Sequence, residues 1–259
     1  MSVYAKDDCH QLKTAIESVI QNTVVPDEFL IVIDGPVSSE IEGVLNCYKG
    51  NSIFEFFYLP ENVGLGNALN LGLQKCKFEY VARMDSDDIC VPDRFEMQLQ
   101  EISHFDIVGG FIAEFDIDPS YPYSIRKVPL ENDDILNFAK RRCPFNHVTV
   151  MYRKSKVLEV GGYFGGKAFQ EDYYLWIRML NSKCHSKNID KVLVNVRAGE
   201  NMLYRRTGLL YAINEIKVQY SSFNLGFIGL SQLVFNCLVR FTTRLSPIFI
   251  KKFVYSFLR

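Results

Sequence analysis

Asp85 and Asp87 stand two residues apart in the string Ala82-Arg83-Met84-Asp85-Ser86-Asp87-Asp88, directly after the apolar run Tyr80-Val81-Ala82. Such a run reads as a buried strand, and ligands of open α/β sheets bind outside the carboxyl ends of the strands. Two carboxylates at that end suit a hard divalent cation, Mg²⁺ or Mn²⁺, which prefers oxygen ligands and shares them with substrate phosphates. The chemistry suggested is that of an enzyme handling a nucleotide-linked substrate. The competing use is structural, since short Asp motifs recur as solvated turns or helix caps, and Asp88, ahead of Pro92, fits that use.

Four further groups could join this site. Glycines in Asn62-Val63-Gly64-Leu65-Gly66-Asn67-Ala68-Leu69-Asn70-Leu71-Gly72 open a helix and would let backbone N–H groups approach an anion, although the pattern is neither GxGxxG nor a P-loop and Gly72 also suits packing. Asp34 ends the apolar run 29–33 and could read the base or ribose of a nucleotide, or simply make a turn. Glu171 and Asp172 begin an aromatic helix, where acids suit the dipole and where one could serve as a general base. His147 either lines the same cleft or satisfies a buried hydrogen bond, and the glycine-rich 161–166 segment reads as a lid. The Asp85-Ser86-Asp87 spacing also occurs in haloacid dehalogenase phosphatases, but their motif takes Thr or Val where Asp88 stands.

The elements that must hold these groups follow from periodicity. Asp8 caps a helix carrying Leu12, Ala15, Ile16, Val19 and Ile20. Ser39 and Glu42 form a capping box, and Pro92 starts a helix through Phe95, Leu99 and Ile102. Strands are expected at 29–33, 53–59 and 80–84, and a helix at 64–76. Alternating strands and helices up to residue 112 indicate an α/β sheet with mostly parallel strands. Beyond it lie strands at 106–112, 148–152 and 192–196 and helices near 133–141, 171–180 and 207–220. One continuous domain is expected, regular over 1–112 and less regular over 113–220, followed by a tail at 221–259.

Composition narrows the class. The 259 residues are 48% hydrophobic and 23% charged with a net charge of −1, which fits a globular chain and gives no reason to expect nucleic-acid binding. Seven scattered cysteines form no CxxC pair and no cluster with the four histidines, arguing against zinc and against a disulfide framework and for a reduced cytosol. The amino terminus has no apolar region of the signal-peptide kind, and no stretch reaches the ~18 apolar residues of a spanning helix.

Ser2-Val3-Tyr4, Asp34-Gly35, Asn62-Val63-Gly64-Leu65-Gly66, Met84-Asp85-Ser86-Asp87-Asp88 and Glu171-Asp172-Tyr173-Tyr174-Leu175-Trp176 occur in this order. Together they resemble the family-two glycosyltransferases, most of all the amylovoran and O-antigen branch, over residues 2–220. Cys143-Pro144-Phe145-Asn146-His147-Val148-Thr149-Val150 and Glu171 through Leu180 are particular to that branch. The resemblance implies a GT-A fold in which Tyr4 and Asp34 flank a uracil and Asp85 approaches the ribose, with Asn62, Gly64, Asn67 and Arg83 on the donor side. Asp85 and Asp87 would hold Mn²⁺ or Mg²⁺ on the donor diphosphate. Asp172 would be the base, and His147, Glu171 and Trp176 would face the acceptor. The implied reaction is inverting transfer of a sugar from a UDP donor to a hydroxyl of an undecaprenyl-diphosphate-linked saccharide in bacterial surface-polysaccharide assembly. A carboxylate with an ordinary pKa near ~3.9 is ionised at pH 7 and suffices as the base. A nucleotidyltransferase acting on sugar phosphates and a catalytically silent assembly subunit are the alternatives.

Two departures stand out. The family has apolar residues ahead of Ser2-Val3-Tyr4 that complete a central strand, so the natural start is expected upstream of Met1, or the strand is short and the fold less stable. Many relatives carry a His soon after the position of Arg197, where this chain has Ala198-Gly199-Glu200, which argues against a histidine metal ligand there. The tail adds a separate feature. Gln232, Asn236, Arg240 and Arg244 make one polar stripe on an apolar helix, and Lys252, Ser256 and Arg259 repeat it after Pro247, with no acid beyond Glu215. A basic amphipathic tail of this kind suits the cytoplasmic face of an anionic inner membrane, as a peripheral attachment, while packing on the domain is the alternative.

Overall fold

The computed structural model describes residues 1–164, 170–197 and 208–245. Strands β1 (Ser2–Val3), β2 (Phe29–Ile33) and β3 (Phe54–Tyr58) pair in parallel in that order. Parallel pairing requires crossovers, supplied by α1 (Cys9–Ile20) and α2 (Ser39–Asn46), which bury Leu12, Ala15, Ile16 and Val19, and Ile41 and Leu45. Asp8 caps α1 through the N–H groups of His10 and Gln11, at 2.9 and 3.0 Å. Ser38 rather than Ser39 caps α2, accepting from the Ile41 N–H at 3.4 Å.

Helix α3 (Leu65–Lys75) leads to β4 (Tyr80–Ala82), and here the structure departs from the parallel arrangement expected up to residue 112. β4 pairs antiparallel with β8 (Met151–Arg153), while both residues of β1 pair with β2. An apolar cavity of about 450 Å³ lies between β2 and β4. Tyr80 is accordingly exposed, and Val81 and Ala82 are half-buried rather than buried.

The second sheet runs β4-β8-β6-β9-β5, with β5 at Ile89–Cys90, β6 at Ile107–Phe115 and β9 at Ser186–Arg197; β7 (Ser124–Arg126) pairs with β6. All nine residues of β6 are buried, as a central strand covered on both faces requires. β6 and β9 are parallel and the other pairs antiparallel. Helix α4 (Arg94–Ile102) follows Asp93, α5 spans Asn132–Ala139, α6 Lys154–Glu159 and α7 Glu171–Asn181. The expected strand at 148–152 is divided: a 3₁₀ turn occupies His147–Thr149 before β8.

Helices α8 (Leu209–Asn224) and α9 (Leu230–Leu245) complete the described chain, and α8 continues through residue 220 without a break. The polar stripe of α9 faces the protein. Asn236 donates to the carbonyl of Lys140 and to Gln219, both at 2.7 Å, and Arg240 and Arg244 each pair with Glu215 at 2.8 Å. Its outer face is apolar and exposed, at Leu230, Val234, Phe235, Leu238, Val239 and Phe241. Pro247 and the second repeat at Lys252, Ser256 and Arg259 lie outside the described residues, as do Gly165, Gly166, Ala198, Gly199 and Glu200. No helix among the described residues is long and apolar enough to cross a membrane.

Candidate active site

The loop after β4 carries the densest carboxylate cluster. One ligand atom from each of Asp85, Asp87 and Asp88 lies within 4.8 Å of the others; Asp85 is half-buried, Asp87 exposed and Asp88 buried. This all-oxygen donor set fits a hard divalent cation. Arg83, buried beneath the loop, pairs with Asp85. Burial pulls its guanidinium down, but the charge and hydrogen bond of Asp85, with Tyr163 and Asp88 adding to them, together hold it above the ordinary value. Asp88 is neither a helix cap nor a solvated turn residue: its carboxylate accepts from the Arg197 N–H at 2.9 Å, fastening the end of β9 to the cluster. Burial, and then Asp85 and Asp87, raise its pKa well above the usual range.

Asp7 sits beside this cluster, and sequence reasoning did not single it out. Its Oδ2 accepts from the Ser86 hydroxyl at 2.8 Å and from the Tyr4 N–H at 3.0 Å. Burial raises its pKa to about 6, with Asp87 and Asp85 adding to the rise against these two hydrogen bonds. Its position before the capping Asp8 carries no motif, so only the fold reveals the contact.

The other residues expected on the donor side gather at the carboxyl ends of β1, β2 and β3. Tyr4 follows β1 and is exposed. Asp34 follows β2 and is buried, and its carboxylate holds a turn by accepting from Asn62 Nδ2 at 3.0 Å, the Val63 N–H at 2.8 Å and the Gly64 N–H at 3.1 Å. The Gly64 N–H is therefore directed to Asp34. Asn67 donates to the Val63 carbonyl at 2.9 Å and is exposed at the start of α3. The helix glycines have packing roles: a Cβ on Gly72 would lie 2.7 Å from Val32 Cγ2, and one on Gly66 would lie 2.7 Å from the Phe164 carbonyl and 3.3 Å from Glu171 Cβ. Gly66 thus lets α3 approach the start of α7.

That start carries the second carboxylate pair. Burial, and next the Asp172 charge, raise the Glu171 pKa to about 7; Arg83 acts against this rise and Asp85 adds to it. The cluster at 85–88 and the head of α7 are therefore within electrostatic reach. Asp172 accepts from the Tyr173 N–H at 2.7 Å and from Cys143 Sγ at 4.0 Å. A cavity of about 670 Å³ opens beside it, lined by His147, Glu171 and Asp172 among others. His147 also meets the Tyr163 hydroxyl at 3.1 Å, and burial and then Arg83 push its pKa well below normal.

Trp176 does not line the cavity. It is fully buried, with ring centroids 5.7 Å from Phe145 and 5.9 Å from His147, so it supports the His147 wall from beneath. The resemblance implied that Trp176 faces the acceptor; in α7 it lies one turn beyond Asp172 and packs into the core. Gln170, Tyr211 and Glu215 were missed as well: Gln170 donates to Tyr211 at 3.1 Å and to Glu215 at 3.3 Å in the cavity wall. The only signal for Glu215 was its place as the last acid before a run of cations.

Comparison with known proteins places this arrangement. The profile described as "Glycosyl transferase family 2" matches residues 1–162. The UDP-Gal:alpha-D-GlcNAc-diphosphoundecaprenol beta-1,3-galactosyltransferase of Escherichia coli is 38% identical over 259 residues, covering 99% of this chain and 94% of that protein. The amylovoran biosynthesis glycosyltransferase AmsE of Erwinia amylovora is 36% identical over 257 residues, covering 99% of this chain and 96% of that one. Among solved structures, a mannosyltransferase of Pyrobaculum calidifontis in complex with GDP-Man and Mn²⁺ superposes with a TM-score of 0.63 at 11% identity, over 86% of this chain and 63% of that one.

Proposed function

The chain belongs to glycosyl transferase family 2, and on that premise we propose that it moves one sugar from a UDP-linked donor to a hydroxyl of a lipid-diphosphate-linked saccharide, with inversion, in bacterial surface-polysaccharide assembly. The observation that carries this reading is a second carboxylate group in addition to the cluster at 85–88: Glu171 and Asp172 at the head of α7, which packs onto the start of α3 where a Cβ on Gly66 would lie 3.3 Å from Glu171 Cβ. One group suits a donor diphosphate and the other an acceptor hydroxyl. The relatives' names favour sugar transfer over nucleotidyl transfer or a silent subunit.

Tyr4 and the Asp34-held turn at Asn62–Gly64 would receive the nucleoside, with Asn67 and the Arg83-anchored Asp85 beside the ribose and phosphates. Asp87 with Asp85 would hold a divalent cation, which when bound offsets the charge growing on the leaving diphosphate. Asp172 takes the proton from the attacking acceptor oxygen. The new bond forms from that oxygen to the anomeric carbon as the bond to the diphosphate breaks on the opposite face, through an oxocarbenium-like transition state. Glu171 and His147 shape the acceptor side of the cavity, and Trp176 fixes His147.

The outer face of α9 supports peripheral attachment to the cytoplasmic face of the inner membrane. Its six exposed apolar side chains lie on the helix side opposite the stripe that binds Glu215. A surface this apolar on a helix end suits insertion at a lipid interface. Screening nucleotide sugars by thermal shift with Mn²⁺ tests the functional reading. A UDP-sugar should raise the melting temperature and be turned over with a lipid-diphosphate acceptor; failure of every nucleotide sugar to bind would overturn it.

A further inference from the structure

The cavity beside Asp172 is lined by five cations, Arg126, Lys127, Arg142, Arg240 and Arg244, against three carboxylates, Glu171, Asp172 and Glu215. Glu215 is buried and accepts ion pairs from both Arg240 and Arg244, so it neutralises only part of their charge and fixes their direction. Arg126 donates to the Cys143 carbonyl at 3.2 Å, while Lys127 and Arg142 are exposed at the rim. A concave site of about 670 Å³ with such an excess of guanidinium and ammonium groups recognises a polyanion, because the arginine fork matches phosphate oxygens.

We propose that this cavity holds the diphosphate of the acceptor, gripped at the rim by Lys127 and Arg142 and from below by the Arg240–Glu215–Arg244 cluster. The proposal rests on the sugar-transfer reading above. An acceptor hydroxyl in reach of Asp172 puts the group that carries the acceptor sugar into this same cavity. The helix that supplies Arg240 and Arg244 to the cavity is apolar and exposed on its opposite side.

The test titrates decyl diphosphate, decyl phosphate and inorganic pyrophosphate into the full chain in EDTA, where the carboxylates at 85–88 repel a diphosphate. Decyl diphosphate should bind, and more tightly than inorganic pyrophosphate. Lys127→Ala combined with Arg142→Ala should weaken it at least tenfold, and Arg142→Lys alone should weaken it less than Arg142→Ala does. Both rim residues are exposed, so folding is undisturbed; Lys127→Glu provides a second variant with the same expected loss. Undiminished binding in these variants overturns the proposal, as does pyrophosphate binding equal to that of the alkyl probe, which would assign the cavity to free phosphate. Transfer assays separate the two readings. Equal acceptor KM for a diphosphate-linked sugar and its phosphate-free alkyl glycoside overturns the cavity assignment alone. Decyl diphosphate binding that the variants lose, without turnover of any UDP-sugar, leaves the cavity standing and removes the transferase reading.

Discussion

Asn62 donates from one amide to both the backbone carbonyl and the carboxylate of Asp34, at 3.1 and 3.0 Å, joining the ends of β2 and β3 across the donor side of the sheet. The Asp34 carboxylate also receives the Val63 and Gly64 N–H groups. Asp34→Ala therefore orphans the Val63 and Gly64 N–H groups, while Asn62 keeps the backbone carbonyl, and the expected cost is about 2–4 kcal/mol by urea unfolding. UDP affinity should fall with it, because the turn that receives the nucleoside loses its anchor. Asp34→Asn should lie between the two, since its amide can accept at one head only.

Asp87 separates ligand binding from folding. It is the exposed member of the 85–88 cluster, so Asp87→Asn should change stability by less than about 0.5 kcal/mol. The same variant should lose the thermal shift that UDP produces in the presence of Mn²⁺. A normal shift in Asp87→Asn would remove Asp87 from the cation site.

Glu171 makes stability depend on pH with a defined sign. Its folded pKa of about 7 lies above the ordinary 4.5. Below the unfolded value both states are protonated and there is no cost. As pH rises from there through about 7 the unfolded state ionises first, so the folded state loses stability. Glu171→Gln should remove this loss and stabilise the ligand-free protein at pH 8 by on the order of 1–3 kcal/mol, with little effect at pH 4.5. Melting curves of both proteins across that range check the sign.

The apolar face of α9 predicts interfacial binding. Leu238→Glu and Phe241→Glu place charges on an exposed surface, so melting temperature should hold while co-sedimentation with anionic vesicles falls several-fold. Transfer to a short-chain, water-soluble acceptor should be retained in both. Unchanged vesicle binding would leave α9 without a lipid role.

The parts of this site that sequence discloses are those set by local spacing. Asp85 and Asp87 are joined by one residue, Glu171 and Asp172 by none, and the Asp8 cap bonds to residues two and three ahead, so neither motif nor cap needs tertiary information. Non-local pairing is different in kind. Nothing near Tyr80 states that β4 will pair with Met151–Arg153, and nothing near Asp7 states that it will meet Ser86. The stripe on α9 shows the same limit. Periodicity placed Asn236, Arg240 and Arg244 on one line, but only the partners Glu215, Gln219 and Lys140 decide that this line faces inward. Trp176 lies one helical turn beyond Asp172, and only its packing partners, Phe145 and Tyr152 among them, show that it is in the core.

Asp172→Asn tests the central claim most directly, with UDP-sugar binding and sugar transfer measured on the same preparation. The base assignment predicts unchanged donor affinity and a transfer rate reduced by about 10²–10⁴-fold. Undiminished transfer in Asp172→Asn would contradict it.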